Sequence, residues 1–346
     1  MANNSNIEKT TQRITALRKL LKGKSSLLIV MQNNPDPDSI AAAMALRSIA
    51  NKLGGLNCSI AHAGSVGRAE NRAMVRYLGL NLRQMDDVDP SRFDLVAMVD
   101  TQPQTGNNAL PDTLKPDIVI DHHPCRHNTR GCEFIDVRSR YGASATILFE
   151  YLQQLKIEID TPLATALVYA IRSDTQDLGR EANKADITAM QTLYPLANLK
   201  MLSDIQRGRV ERSYFAMLSK ALINAIACDK SIVTNLGEIE NADMIAEVAD
   251  ILLRDDKAVW TLCYGFKDGG MLLSLRNCQA GKKAGDVMKK IVSRIGTGGG
   301  HTTMAGGQIP STKIEGQKKT IEETVKRRFY KAINVSPSEC DKLISS

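Results

Sequence analysis

The sequence predicts an α/β protein of two domains, a parallel-sheet domain followed by a smaller α/β domain with an active-site cleft between them. Three observations predict it. Short apolar runs alternate with stretches of helical periodicity, the alternation restarts near residue 228, and acidic residues gather where the first set of apolar runs ends. A chain of 346 residues is long for one hydrophobic core and comfortable for two.

In chain order, the polar start "MANNSNIEKTTQRITALRKLLKGK" reads as a short amphipathic helix and not as a signal peptide. "SLLIVMQ" (26–32) is a strand, and 38–53 is a helix stopped by Gly54-Gly55, with Asp38 where an N-cap is wanted. "CSIAHA" (58–63) is a second strand, and a helix follows through "AENRAMVRYLGL". "FDLVAMVD" (93–100) and "PDIVIDHH" (116–123) are two further strands. Helices dominate from 143 to about 226, clearest in "SATILFEYLQQL" and "ATALVYAIRSD". Beyond 228 come a strand "SIVTNL", a helix "MIAEVADILL" and a strand pair, "AVWTLCYGF" and "GMLLSLRN", joined through "KDGG". A helix near 284–294, a glycine-rich loop and a last helix over about 315–333 complete the chain. The expected boundaries are 1–190 for the first domain, 191–227 for a helical linker and 228–346 for the second domain.

Composition is that of a globular protein, 43% hydrophobic and 24% charged. No apolar run approaches the ~18–20 residues that span a bilayer, so no membrane partner is expected. The seven cysteines are scattered and form no CxxC pair, which suggests neither a disulfide framework nor a thiolate zinc site and points to a reduced cytoplasm. The net charge of +7 is concentrated: from Arg276 to Lys331 there are thirteen Lys/Arg against four Asp/Glu. Such a segment suits an anionic partner, nucleotide or nucleic acid, although a solvated lysine-rich helix face has the same composition.

The chemistry shares one structural address. Asp36 and Asp38 follow the first strand, Asp100 closes the third, and Asp121, His122 and His123 close the fourth. Asp174 ends a further apolar run. The carboxyl ends of parallel strands form one edge where ligands bind, so these positions converge on a single crevice. Any one aspartate could simply cap a helix or close a turn; the set together needs another explanation. Crowded carboxylates repel, and divalent cations relieve that repulsion. Mixed Asp and imidazole donors suit Mn²⁺ or Zn²⁺, and two ions ~3.5–4 Å apart are the usual clamp at a phosphorus centre.

Those motifs carry a resemblance. "NPDPDSIAAA", "VD" at 99–100, "DHHP" at 121–124 and "SDT" at 173–175 resemble the four motifs of the DHH phosphoesterase superfamily. "GTGGGHTTMAGG" (296–307) and "SLRN" (274–277) are similar to the glycine-rich signature and the arginine-bearing strand of the DHH-associated C-terminal domain. The resemblance implies a metal-dependent phosphodiesterase that hydrolyses short oligonucleotides or small nucleotides by two-metal water attack. NanoRNA, pAp and linear or cyclic dinucleotides are all open as substrates. The implied ions are Mn²⁺, with Mg²⁺ or another divalent ion open, and a homodimer is open too. In the implied assignment Asp36 and Asp100 hold one metal, and Asp38, Asp100, His122 and Asp174 hold the other. His123 faces the scissile phosphate, Asp121 orients the histidines, and Arg276 with Gly298, Gly299, Gly300 and His301 receives the far end of the substrate. The family's first motif opens with histidine where this chain has Gln32, a weaker and neutral ligand. A weakened first metal site, or a non-catalytic nucleotide-binding protein, are the two readings of that change. His62, at the end of the second strand, could stand in for the missing imidazole, though a buried strand-end histidine needs no such role. His127 reads as a loop residue, and Asn71 resembles a family position near the site.

Overall fold

The structure, a computed structural model, describes residues 2–337 and 340–344, with backbone alone for residues 2–8. It divides into two compact units, Met1–Arg209 and Val210–Ser346. The division falls inside the helical segment 191–227.

In the first unit the elements run α1 (Ala2–Leu21), β1 (Ser26–Val30), α2 (Pro37–Gly54), β2 (Asn57–His62), α3 (Ala69–Tyr77), β3 (Arg83–Gln84), β4 (Leu95–Val99), β5 (Ile118–Asp121), β6 (Phe134–Val137), α4 (Ser144–Gln154), α5 (Thr161–Thr175), α6 (Lys184–Leu193) and α7 (Leu199–Gln206). The strands form one six-stranded parallel sheet in the order β3-β2-β1-β4-β5-β6. Alternate residues of β1 enter opposite cores: Leu27 and Ile29 pack with the helices, Leu28 and Val30 on the far face. Burial on both faces is why the parallel strands read as unbroken apolar runs. The far face is sealed by Met85, Val88, Leu110 and Cys132, which lie outside the α-helices.

The sheet order decides where a site can lie. From β1 the chain winds outward through β2 to β3, then returns to the other side of β1 with β4 and winds outward again. The reversal leaves a crevice beyond the carboxyl ends of β1 and β4, the usual ligand position in such sheets. Asp36 and Asp38 follow β1, and Asp100 follows β4.

The second unit runs α8 (Arg212–Ile223), β7 (Ile226–Cys228), β8 (Ser231–Glu238), α9 (Asp243–Leu252), β9 (Trp260–Lys267), β10 (Gly270–Asn277), α10 (Ala284–Val292), β11 (Thr297–Gly300), β12 (Met304–Ile309), α11 (Ser311–Ile314), α12 (Lys318–Ile333) and β13 (Cys340–Lys342). Its seven-stranded sheet has the order β11-β12-β10-β9-β8-β7-β13; β8 and β9 pair parallel and the other pairs are antiparallel. One face packs on α10 and α12, the other on α8 and α9.

Three expectations change here. The glycine-rich stretch is not a loop: Thr297–Gly300 is a strand paired with β12. Glycines have no side chains to show a period of two, so hydrophobic patterning misses the strand. They are used for close packing. A Cβ on Gly298 would sit 2.8 Å from Met288 Cγ, and one on Gly307 2.6 Å from Met288 Sδ. The cysteines also depart from the expectation of no disulfide, because Cys228 and Cys340 are joined across the β7–β13 pair. A separation of 112 residues carries no spacing signal. Cys58, Cys125, Cys132, Cys263 and Cys278 remain free. Finally, the N-cap of α2 is Asp36, whose Oδ1 accepts from Ser39 N at 2.9 Å, and Asp38 lies inside the first turn. Pro37, with its fixed φ and no N–H, takes the first helical position and moves the cap back by two residues. Among the described residues no helix is long and apolar enough to cross a membrane.

Candidate metal centre

The turn that leaves β1 is pinned from three sides. Asn34 adopts the left-handed region (φ 54°) and its Oδ1 accepts from Ser65 N at 2.9 Å. Asn71, buried on α3, donates from Nδ2 to Pro35 O at 3.2 Å. Met31 N donates to Ala61 O on β2 at 2.9 Å. Asp36, at the cap, and Asp38, in the first turn of α2, are thereby fixed in place.

Asp38 is fully buried, and its carboxylate is met by the start of α4. Ser144 N donates to Oδ2 at 2.7 Å and Ala145 N to Oδ1 at 2.8 Å. A helix N-terminus favours an anion there. Asp100 is also buried and adopts a left-handed backbone (φ 56°). Its Oδ1 accepts from Ser144 Oγ at 3.1 Å, and its Oδ2 is buried with no hydrogen-bond partner.

His122 completes the arrangement. Its Nδ1 lies 3.2 Å from Tyr141 O. A carbonyl only accepts, so Nδ1 carries a proton, and Nε2 is the nitrogen left to bind an ion once its own proton is lost. Nε2 lies 3.1 Å from Asp174 Oδ2, 3.6 Å from Asp100 Oδ1 and 4.0 Å from Asp38 Oδ2, and makes no well-aligned hydrogen bond. An imidazole nitrogen ringed by three carboxylates is a donor set that suits a cation, which would take the place of the Nε2 proton. Two overlapping clusters with metal-ligand spacing result, Asp38–His122–Asp174 and Asp100–His122–His123.

The electrostatics describe the same strain. Burial first, and then Asp174, raise Asp36 above the usual carboxylate range; burial and Asp174 push Asp38 up to about 7, although His122 pulls it down. Burial, with the charges of Asp38, Asp36 and Asp174, raises Asp100 well above that range. Burial pulls His122 down, but Asp174 and Asp38 outweigh it and push it up to about 10. Asp174 is raised by burial and lowered further by its contact with His122, ending below its ordinary value. Divalent ions fit these residues: they supply charge to Asp38 and Asp100 and a partner to Asp100 Oδ2 and His122 Nε2.

Beside the clusters, Asp121 holds His123. Its Oδ1 accepts from His123 N at 3.0 Å and lies 2.8 Å from His123 Nδ1. Burial raises Asp121, but the hydrogen bond and charge of His123 overcome it and hold it at about 2. Sequence reasoning missed Gln102, which braces this pair. Gln102 is buried and donates from Nε2 to Asp121 Oδ2 (2.6 Å) and Pro124 O (3.2 Å), while its Oε1 accepts from Arg126 N and Thr129 Oγ1, both at 2.7 Å. Ser144 and Tyr141 were missed as well. The only local signal for them is their place just ahead of, and at the start of, an apolar helix.

The remaining positions sort as follows. Asp36 serves as the α2 cap and lies outside both ligand clusters, within electrostatic reach of Asp174 and His123. Gln32, half-buried two residues past β1, makes no side-chain hydrogen bond among the described residues. His62 is buried with Nδ1 3.1 Å from Ala63 O and joins neither cluster, and His127 is exposed. In the second unit Arg276 is buried, donating from Nε to Asp250 Oδ1 at 2.5 Å and from Nη1 to Ser274 Oγ at 2.8 Å. Gly298, Gly299 and Gly300 lie on β11, a Cβ on Gly299 would meet nothing within 4 Å, and His301 N donates to Met304 O at 2.8 Å.

Fold and donor set together define an α/β protein with a candidate divalent-metal centre at the switch point of a parallel sheet. Comparison with known proteins places it further. The N-terminal domain of the DHH family matches residues 26–171, and the DHHA1 domain matches 229–329. An uncharacterized protein of Methanocaldococcus jannaschii is 34% identical over 91% of this chain, which spans 66% of that relative's length. A probable manganese-dependent inorganic pyrophosphatase of Lactobacillus gasseri is 27% identical, over 51% of this chain and 58% of its own length. The cyclic-di-AMP phosphodiesterase GdpP of Bacillus subtilis is 24% identical over 91% of this chain and 49% of its own length. Among solved structures, an exopolyphosphatase-related protein from Bacteroides fragilis shares the fold with a TM-score of 0.70 at 13% identity, covering 92% of this chain and 98% of its own. The chain belongs to the DHH family of metal-dependent phosphoesterases and carries a DHHA1 domain.

Proposed function

We propose that the chain is a metal-dependent phosphodiesterase acting on short oligonucleotides or small nucleotides, with manganese as its working ion. The observation that carries this reading is His122 Nε2 ringed by Asp38, Asp100 and Asp174 beside the unpartnered Asp100 Oδ2. Asp36, Asp38, Asp100, His122 and Asp174 hold the ions, with Gln32 next to the first position. When bound, divalent ions supply Lewis acidity at a phosphoryl group and offset the crowded carboxylates.

The chain's own residues do the rest. Ser144 Oγ and the α4 N-terminus fix Asp100 and Asp38 before any ion arrives. Tyr141 O fixes the tautomer of His122, as second-sphere acceptors do in metal sites. Asp121, anionic at neutral pH, holds the proton on His123 Nδ1, so Nε2 is the nitrogen that meets the departing oxygen. The first domain, expected over 1–190, carries this chemistry. The second, expected over 228–346, would take the nucleotide end through Arg276, Gly298, Gly299, Gly300 and His301, with its excess of basic residues favouring an anionic substrate.

Two things favour a diester over pyrophosphate. The match to GdpP runs through 91% of the chain, whereas the matches to pyrophosphatases cover between 43% and 68% of it. The strongly basic segment also lies in the second unit. The test is a side-by-side assay with Mn²⁺ on a 5′-phosphorylated dinucleotide, pAp, a cyclic dinucleotide and pyrophosphate. Turnover of one of the nucleotides in preference to pyrophosphate is expected. Binding of all the nucleotides with cleavage of none would instead establish the non-catalytic reading opened by Gln32.

A further inference from the structure

Two unpaired donors lie beside the carboxylate cluster, on a residue given no role so far. Arg180 follows α5, and its Nη2 donates to the backbone carbonyl of Asp174 at 2.6 Å. Its Nε and Nη1 are buried and have no hydrogen-bond partner. Leaving a charged donor buried and unpaired is among the costlier defects a fold can hold. It persists in functional sites because a ligand removes it.

The backbone that delivers Arg180 is strained in the same place. Gln176, Asp177, Leu178 and Glu181 all have positive φ, at 48°, 55°, 66° and 52°. None is glycine, and the left-handed region is unfavourable for L-residues by roughly 1–2 kcal/mol each. This run folds the chain straight back onto the end of α5. Asp177 N donates to Arg172 O, Leu178 N to Thr175 Oγ1, and Arg180 N to Thr175 O, at 2.9, 3.0 and 2.8 Å. Consecutive strained residues beside a ligand cluster are a sign of function when the rest of the structure forces them.

Among the described residues of the first unit, the buried unpaired atoms are Asn33 Oδ1, Asp100 Oδ2, His122 Nε2 and the two Arg180 nitrogens. Asp100 Oδ2 and His122 Nε2 lie in the ligand clusters and suit a cation, while Arg180 Nε and Nη1 are donors that call for an anion. We infer that Arg180 grips the phosphate of the substrate, donating to its non-bridging oxygens while the ions hold the other side. A guanidinium suits this task because its planar fork matches a phosphate. Only one side-chain hydrogen bond among the described residues holds the head, so its outer torsions are lightly restrained. A purely structural role would need only the bond to Asp174 O and leaves the other two donors unexplained.

The inference rests on the phosphoesterase reading, and its test separates the two. Inorganic phosphate binding to the Mn²⁺-loaded full-length protein is measured by titration calorimetry, with Mn²⁺ affinity and stoichiometry measured independently by electron paramagnetic resonance. Arg180→Ala is expected to weaken phosphate by about 10- to 100-fold, the range for charge-assisted hydrogen bonds, while Mn²⁺ binding stays within about twofold. Arg180→Lys keeps the charge and a donor for Asp174 but not the fork, and should recover only part of the loss. If Arg180→Ala does not fold, the lysine variant alone decides. Phosphate affinity equal to wild type overturns the inference, as does a loss of Mn²⁺ binding large enough to account for the phosphate loss. A wild-type protein that loses phosphate on Arg180→Ala yet cleaves no diester refutes the proposed function and leaves this inference standing.

Discussion

Gln102→Leu is the substitution whose consequences can be worked most fully from the structure. The side chain is buried and makes four hydrogen bonds: to Asp121 Oδ2, to Pro124 O, and from Arg126 N and Thr129 Oγ1. Leucine fills a similar volume, so the cavity term is small and the polar terms dominate. The bond to ionised Asp121 contributes about 1.5–3 kcal/mol and each neutral bond about 1 kcal/mol, giving a loss of roughly 4–6 kcal/mol. For a unit of this size 1 kcal/mol corresponds to about 2–4 °C, so the melting temperature should fall by about 10–20 °C. The catalytic effect has its own signature. Asp121 loses the contact that turns it toward His123, while His122 keeps its hold on Tyr141 O. Turnover should fall by about tenfold or more with Mn²⁺ affinity nearly unchanged, since the residue acts through the orientation of another. Differential scanning calorimetry and a Mn²⁺ titration decide it. A melting shift under about 3 °C, or a loss of Mn²⁺ affinity as large as the loss of turnover, would refute the reasoning.

Two further outcomes follow from the same site. Asp38 and Asp100 are raised by folding, as is His122, so the metal-free fold holds protons that the unfolded chain releases sooner. Their contribution to metal-free stability is complete at low pH and is lost as pH rises through about 7 for Asp38 and about 10 for His122. Asp121 and Asp174, held low, act in the opposite sense only under acid conditions. The gain in melting temperature on adding Mn²⁺ should therefore grow from pH 5 to pH 8, and an equal gain at both values would contradict this. Gln32→His should tighten Mn²⁺ binding, because imidazole is a stronger ligand than an amide oxygen and Gln32 makes no side-chain hydrogen bond among the described residues. Unchanged affinity would show that this position does not face an ion.

Much of the candidate centre was legible in the sequence because each member of the clusters follows an apolar run. Asp38, Asp100, His122 and His123 lie just past or at strand ends, and a parallel sheet puts strand ends on one edge, whereas Asp36, read the same way, caps α2 and lies outside both clusters. What escaped is what depends on distant contacts. Gln102 braces Asp121 from 19 residues away, and Ser144 meets Asp100 from 44 away. Neither has a local pattern. The reversal between β1 and β4, which sets the crevice, is likewise a property of strand order and not of any run of residues. Local rules also competed. Asp38 looked like a cap, but Pro37 occupies the first helical position and gives the cap to Asp36. The β11 strand was hidden because glycine carries no pattern, and the Cys228–Cys340 bond because its partners are far apart in the chain.

The central claim is that the carboxylates and histidines at the β1–β4 switch point form a metal centre that breaks phosphodiesters. The direct measurement is release of mononucleotides from a 5′-phosphorylated dinucleotide by metal-stripped protein, before and after Mn²⁺ is restored, with Asp100→Ala alongside. Release that requires Mn²⁺ and is absent in the variant is the predicted result. A wild-type protein that takes up Mn²⁺ and leaves the dinucleotide whole, or a variant that cleaves as fast as wild type, would contradict the account.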